Sequence, residues 1–184
     1  LRDALPAYRD AFAELGVTSF EMPKVEADDV IGTLAVKIAE AGSQAVILST
    51  DKVFLQLLSD KILVRDHFKQ SYLDRAYVAQ RFGVKPETFV DFLALAGDNT
   101  NSIRGVPGVG PKTAAKLIED FGSLDEILAA TKPDKGDDHA PVLSMKMRDR
   151  FVDYSEDARQ AQSLVRLQTD LTLGLNLKAL RYKL

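Results

Sequence analysis

The sequence predicts an α/β fold in which a small parallel sheet gives way to a helical module built around a glycine hairpin. Three observations carry this expectation. Strand-like and helix-like patterns alternate up to residue 73. From Asp74 onward only helical periodicity appears. Between two helical runs stands a segment rich in glycine and proline, Gly105-Val106-Pro107-Gly108-Val109-Gly110-Pro111-Lys112.

Residues 4–15 carry apolar side chains at helical spacing, and residues 17–22 alternate as a short strand does. Residues 27–41 predict a helix with Val30, Ile31, Leu34, Ala35 and Ile38 as its apolar stripe and Gly42 as its stop. Ala45-Val46-Ile47-Leu48 is a continuous apolar run, the pattern of a buried parallel strand. Residues 53–58 are helical and residues 62–64 form a further strand. Helices follow over 74–82, 86–95 (opened by a proline), 112–121 and 124–130. Residues 131–139 are polar and read as a surface loop, and 141–167 are amphipathic and mostly helical. Three regions result: 1–73, an α/β unit; 74–130, helical, with the hairpin module centred on 94–121; and 131–184, a loop, helix and tail packing on the core.

Composition narrows the function classes. The 184 residues are 46% hydrophobic, enough for one sizeable core with a small appended module. The absence of cysteine excludes a disulfide scaffold and a Cys-ligated zinc site. No apolar run approaches the ~20 residues of a membrane span. The first residues resemble neither a signal peptide nor a start site, so the chain reads as a fragment. A net charge of −3 argues against nucleic-acid binding on average, but the charges are segregated. Residues 99–118 contain no acid and include Arg104, Lys112 and Lys116, whereas acids gather at Glu26, Asp28, Asp29 and Asp51.

The hairpin carries the sharpest chemistry. Its glycines permit positive φ and leave backbone N–H groups uncovered, and Pro111 suits a first helical turn. Open N–H groups at a helix N-terminus beside Lys112 make a site for one phosphate. Ala114 and Ala115 are small enough to let two helices approach closely. This is a helix-hairpin-helix arrangement, which holds backbone and not bases, so binding to DNA would be independent of sequence. A bare glycine turn between packed helices is the bland alternative. A dinucleotide-binding turn is the rival phosphate site, but it needs a strand before the glycines, and residues 99–104 make a poor one.

Glu26, Asp28 and Asp29 stand at the start of the 27–41 helix, where acids favour the dipole. Three within four residues exceed what capping needs, and they repel one another without a cation. Asp51 follows the apolar strand at its C-terminal end, where parallel sheets build sites. Asp98 ends a helix against the dipole and invites a functional explanation. Oxygen ligands of this kind select Mg²⁺ or Mn²⁺ over zinc. Phe68 and Tyr72 are read as core residues and not base-stacking ones, and His67 and His139 are given no role.

Glu26-Ala27-Asp28-Asp29, Ser49-Thr50-Asp51-Lys52, Leu93-Ala94-Leu95-Ala96-Gly97-Asp98 and the hairpin together resemble the 5′-nuclease family, which includes the 5′-exonuclease domain of bacterial DNA polymerase I and the flap endonucleases. The resemblance covers nearly the whole chain. The polymerase-attached type has Gly-Asp-Lys-Asp where this chain has Thr50-Asp51-Lys52-Val53, and a further Asp where this chain has Asn101. Both departures remove ligands from a second metal position. With the Leu167-Gln168-Thr169-Asp170-Leu171 ending, they make the chain similar to the stand-alone exonuclease IX type of flap endonuclease, although Asp98 keeps an acid that this type can lack.

The resemblance implies a parallel-sheet (PIN-like) nuclease core of which this chain is the C-terminal part. It implies a structure-specific, Mg²⁺- or Mn²⁺-dependent 5′-nuclease acting on DNA with a duplex arm and a 5′ flap or 5′ end, in replication and repair. Asp28 would hold Mg²⁺, with Glu26 and Asp51 acting through water and Asp29 in the same cluster. A K⁺ ion would sit on the backbone carbonyls of Leu95, Ala96, Arg104, Val106 and Val109. DNA would meet Gly108, Val109, Gly110, Pro111, Lys112 and Thr113. The resemblance also implies a monomeric, cytoplasmic, nucleoid-associated bacterial protein with no membrane partner. The strand-end acids and basic arch with which the family begins do not precede Leu1, so the fragment alone is expected to be inactive. The alternative is a non-catalytic DNA-binding remnant with a decayed metal site, favoured by Val53 and Asn101; a scaffold with no nucleic-acid role is the bland reading.

Overall fold

A computed structural model describes residues 4–132, 142–175, 177–180 and 182. It is a mixed α/β structure: a three-stranded sheet and, among the described residues, eight α-helices that lie mostly beyond it. Strands β1 (Ala45–Leu48) and β2 (Ile62–Asp66) pair in parallel, with Ala45 opposite Ile62 and Leu48 opposite Arg65. A third strand, β3 (Ser71–Leu73), returns antiparallel to β2, so the sheet is mixed and not purely parallel. The turn into β3 is closed by the buried Asp66, whose Oδ1 accepts the N–H groups of Phe68 (3.0 Å) and Lys69 (3.1 Å). Gln70 completes the turn at φ 53°.

Helix α1 (Leu5–Glu14) forms as its periodicity predicts, yet none of its residues is buried. The strand expected over 17–22 does not form. Val17 and Phe20 are exposed, and no described strand runs beside the segment to take its backbone hydrogen bonds. Helix α2 (Ala27–Glu40) packs on β1 largely through the expected stripe, with Ile31 the member that faces out. Val30, Gly32, Thr33 and Ala35 are buried, while Ile31 is exposed. The expected burial of β1 on both faces is also corrected: Ala45 and Ile47 point into the core, and Val46 and Leu48 point out. Residues Lys52–Leu57 form a 3₁₀ turn whose Phe54 and Leu55 are almost wholly buried.

The helical part is organised around α4 (Phe89–Ala96). Phe89, Val90, Phe92, Leu93, Ala94 and Leu95 are all buried, the mark of a helix surrounded on every side. Each large side chain there contributes about 2 kcal/mol by leaving water. Helix α3 (Arg75–Phe82), capped by Asp74, supplies Phe82, whose ring meets Phe89 (5.0 Å between centroids) and Phe92 (5.7 Å). Helices α5 (Pro111–Phe121) and α8 (Ser155–Val165) pack on α4, with α6 (Leu124–Ala129) beside α5. Asp91 ties them together: Oδ1 accepts from Gln162 Nε2 (2.6 Å) and Oδ2 from the Leu124 N–H (3.3 Å). The helical stretch expected over 141–167 is two helices, α7 (Met145–Asp153) and α8, parted at Tyr154.

After α8 the chain is stitched back to the α/β part. Gln56 Nε2 donates to the Val165 carbonyl (2.9 Å), and Gln56 Oε1 accepts the Leu167 N–H (3.1 Å). Thr33 Oγ1 donates to the Gln168 carbonyl (3.2 Å). Phe68 and Tyr72, expected in the core, are on the surface. Phe68 is 86% exposed in the β2–β3 turn, and Tyr72 lies on the outer strand with the Arg65 guanidinium over its ring. Most of the expected 131–139 loop, with His139, lies outside the described residues.

Candidate functional site

The first turn of α2 brings Glu26, Asp28 and Asp29 to one wall of a cleft of about 480 Å³, faced by Val53, Asn101 and residues 163–168. Burial raises the Asp28 carboxyl above the usual carboxylate range, and the negative charges of Asp51, Glu26 and Asp29 raise it further. So the four acids predicted from sequence do share one electrostatic neighbourhood, with Asp28 at its centre. They do not close into a ligand cage: among the described residues no three such side chains converge tightly enough to hold an ion alone.

The reason lies in what the acids already bind. Asp29 Oδ1 accepts the Gln168 N–H at 2.9 Å, which fastens the tail to α2. Asp51 Oδ1 accepts the Val53 N–H (2.9 Å) and so caps the 3₁₀ turn, while its own N–H donates to Ser49 Oγ (3.0 Å). Asp28 and Glu26 have no such commitment among the described residues. Oxygen donors of this kind suit one side of a divalent-ion site.

Asp98 has a structural explanation in place of the functional one its position invited. It is 1% exposed, and Lys52 Nζ lies 2.6 Å from its Oδ1. Its carboxylate also accepts from the Thr100 N–H (2.9 Å) and Asn101 Nδ2 (3.2 Å). Burial pushes its pKa up, but Lys52, Thr100 and Asn101 together outweigh that and hold it below the ordinary value. Asn101 Nδ2 also reaches Asp51 Oδ2 at 3.5 Å, so an amide joins the two carboxylates. Lys52 is therefore a resident counter-ion in the cluster, a role its neighbours in sequence give no sign of.

The hairpin begins where α4 stops. Asp98 and Ile103 exchange both backbone hydrogen bonds (2.8 and 2.9 Å) around a turn in which Ser102 has φ 57°. Gly105 then passes against the end of α4. A side chain there would collide with the Leu95 carbonyl and the Gly97 nitrogen, and the Val106 N–H donates to the Leu95 carbonyl at 2.9 Å. Of the five carbonyls expected to hold K⁺, those of Leu95 and Val106 each accept a backbone N–H, the second from Val109 at 3.0 Å. Each keeps a second lone pair.

Helix α5 starts at Pro111, and its N-cap Gly110 offers no side-chain cap. Its first internal bond runs from the Ala114 N–H to the Gly110 carbonyl (2.9 Å), leaving the Lys112 and Thr113 N–H groups as open donors. Gly110 meets nothing within 4 Å on its Cβ side, and Pro111 and Lys112 are exposed; Val109 instead is buried. The predicted basic trio shrinks to two, because Lys116 is taken by Asp120 (2.8 Å) and Glu119 (3.2 Å). A cation that sequence reasoning missed lies beside the hairpin. Arg150, on α7, lies across Gly108, and no spacing rule links residues so distant in the chain.

Residues 84–184 match the family model described as 5′-3′ exonuclease, C-terminal SAM fold, and residues 1–83 match that described as 5′-3′ exonuclease, N-terminal resolvase-like domain. Over 182 residues the chain is 46% identical to flap endonuclease Xni of Aeromonas salmonicida, an alignment that takes in 99% of this chain and 66% of that protein. The chain thus spans just under two-thirds of that relative's length. Among solved structures it is similar to T5 5′-exonuclease bound to divalent zinc ions, with TM-score 0.73 and 25% identity, over 90% of this chain and 59% of that one. It is also similar to a flap endonuclease of bacteriophage T5 in a pseudo-enzyme-product complex with DNA and metal ions, with TM-score 0.72 and 25% identity, over 91% of this chain and 57% of that one.

Proposed function

The chain belongs to the 5′-3′ exonuclease family, and from that premise we propose that it forms the metal-binding wall and DNA-holding module of a structure-specific 5′-nuclease. The enzyme hydrolyses DNA phosphodiester bonds with Mg²⁺ or Mn²⁺, on substrates with a duplex arm and a 5′ flap or 5′ end, and it does not read bases. The observation that carries this is the Asp28 carboxyl, pushed up by burial and by three neighbouring acids, a concentration of negative charge that a divalent cation would relieve. The metal- and DNA-bound relatives among solved structures support the same reading.

Asp28 would hold the ion directly, with Glu26 and Asp51 hydrogen-bonding its waters and Asp29 holding the tail in place. A divalent ion so held polarises a phosphate and makes a bound water a stronger acid. The rest is done by the protein. The uncapped start of α5 receives a phosphate of the duplex arm through the Lys112 and Thr113 N–H groups, with the Lys112 ammonium beside them. Contact of this kind fixes the register of the duplex against the cleft without selecting sequence. A K⁺ on the carbonyls of Leu95, Ala96, Arg104, Val106 and Val109 would offset charge between hairpin and phosphate. The protein works as a monomer in the bacterial cytoplasm; among the described residues no helix is long and apolar enough to cross a membrane.

Two observations favour a second reading, a DNA-binding remnant without catalysis: Asp98 is neutralised by Lys52, and no three acids converge among the described residues. Cleavage of a labelled 5′-flap DNA by the full-length protein separates the two. Activity that needs Mg²⁺ or Mn²⁺ and disappears in chelator supports the nuclease. DNA binding with no cleavage at any divalent-ion concentration establishes the remnant.

A further inference from the structure

We propose that Arg150 is a DNA-backbone contact delivered onto the hairpin from α7, so that the phosphate site is built from two separate parts of the chain. Gly108 has φ +75°, and a methyl group on it would lie 2.5 Å from Arg150 Nη1 and 2.8 Å from Cζ. The guanidinium therefore rests against bare backbone, in a space that exists only because residue 108 has no side chain. Arg150 is half-buried, and among the described residues no acid or carbonyl accepts from it, although Asp153 stands one turn further along α7. Arg75 pairs instead with Glu87 at 2.7 Å and Arg159 with Asp125 at 2.8 Å; what sets Arg150 apart from other unpaired arginines is its seat on the hairpin backbone at Gly108.

A guanidinium partly withdrawn from water with its donors unused favours an anion that arrives from outside. Its planar fork matches the two free oxygens of a phosphodiester. The open N–H groups of Lys112 and Thr113 begin a few residues along the same hairpin, and a duplex seated on them brings phosphates to Gly108. Nothing in this arrangement reaches base edges, so Arg150 adds affinity and orientation without adding sequence preference.

The proposal rests on the hairpin's being the DNA-binding element, and the experiment separates the two. Binding of the full-length protein to two duplex-arm DNAs of unrelated sequence is measured from 0.05 to 0.5 M KCl (on the order of a decade of salt, wide enough to define a slope) for wild type, Lys112→Ala, Arg150→Gln, Arg150→Met and Arg150→Lys. Loss of one phosphate contact lowers the slope of log K against log salt by ~0.9, equivalent to about eightfold in affinity at 0.1 M. Arg150→Gln and Arg150→Met should each show that loss equally on both sequences, with an unchanged melting temperature, and Arg150→Lys should retain the slope. If Lys112→Ala loses affinity and slope while Arg150→Gln and Arg150→Met lose neither, the proposal fails and the hairpin reading stands. A loss of affinity at unchanged slope, or failure of both neutral variants to fold, identifies a packing role and overturns it as well. If wild type does not bind, or no variant changes binding, the hairpin reading fails and takes this proposal with it.

Discussion

Lys52 Nζ lies 2.6 Å from Asp98 Oδ1, an ion pair whose acid is almost wholly buried and whose base is partly so. Removing one partner of such a pair costs more than the pair itself contributes, because the other charge is left in a medium that cannot solvate it. Lys52→Met should therefore destabilise the protein by about 3 kcal/mol, and the double change Lys52→Met with Asp98→Asn should recover part of that loss. Urea unfolding of the four proteins of the cycle measures this. A single-variant cost under about 0.5 kcal/mol would mean that the pair is loose in solution.

The two carboxyls respond oppositely to acid. Asp98 is held below its unfolded value of 3.8, so its contribution to stability is present above that value and is lost as pH falls through the folded pKa. Asp28 is raised above 3.8; in the window between that value and its folded pKa the native state binds more protons, and stability falls as pH rises. Carbon-13 titration of labelled Asp should find Asp28 titrating above and Asp98 below the ordinary range. Added Mg²⁺ should lower the Asp28 value and leave Asp98 in place. A shift of both, or of neither, contradicts the assignment of the metal to Asp28.

Cleavage should depend on the same residue. The full-length protein carrying Asp28→Ala is expected to lose flap cleavage by at least about a hundredfold while still binding DNA. These 184 residues alone, whose described acids form an open set, are expected to bind DNA without cleaving it at a useful rate. Robust cleavage by either protein would move the catalytic centre elsewhere.

The hairpin's docking on α4 makes Gly105 intolerant of any side chain. Gly105→Ala must push the hairpin off the Leu95 carbonyl and should weaken DNA binding at least as much as Lys112→Ala. If the Leu95-to-Val109 carbonyls hold K⁺, wild type will bind more tightly in K⁺ than in Li⁺ at equal ionic strength, and Gly105→Ala will erase that difference. Equal affinities of wild type in the two salts would dispose of the ion site.

What the sequence made legible was local. The helices announced themselves by periodicity, α5 by Pro111 and the hairpin by its glycines, because these signals act within a turn or two of chain. The acids of α2 and Asp51 were visible as an excess of charge. What it concealed was set by distant partners. Strand β3 depends on pairing with β2 across a turn shaped by Asp66, and residues 17–22 have strand-like alternation but no strand beside them. The outward turn of Ile31 depends on how α2 settles on β1. Lys52 meeting Asp98, and Arg150 meeting Gly108, join segments that no periodicity connects.

Among the described residues strand β1 has a hydrogen-bonded neighbour on one side only, and its outward side chains, Val46 and Leu48, are apolar and exposed. An unmatched row of peptide groups beside greasy residues is a template for capture by any extended chain. Handled as these 184 residues alone, the protein should sediment as larger species as its concentration rises, and a lysine at position 46 or 48 should suppress that behaviour without touching the hairpin. Colloidal behaviour and nucleic-acid affinity are thus governed by different elements of the fold and are open to separate engineering.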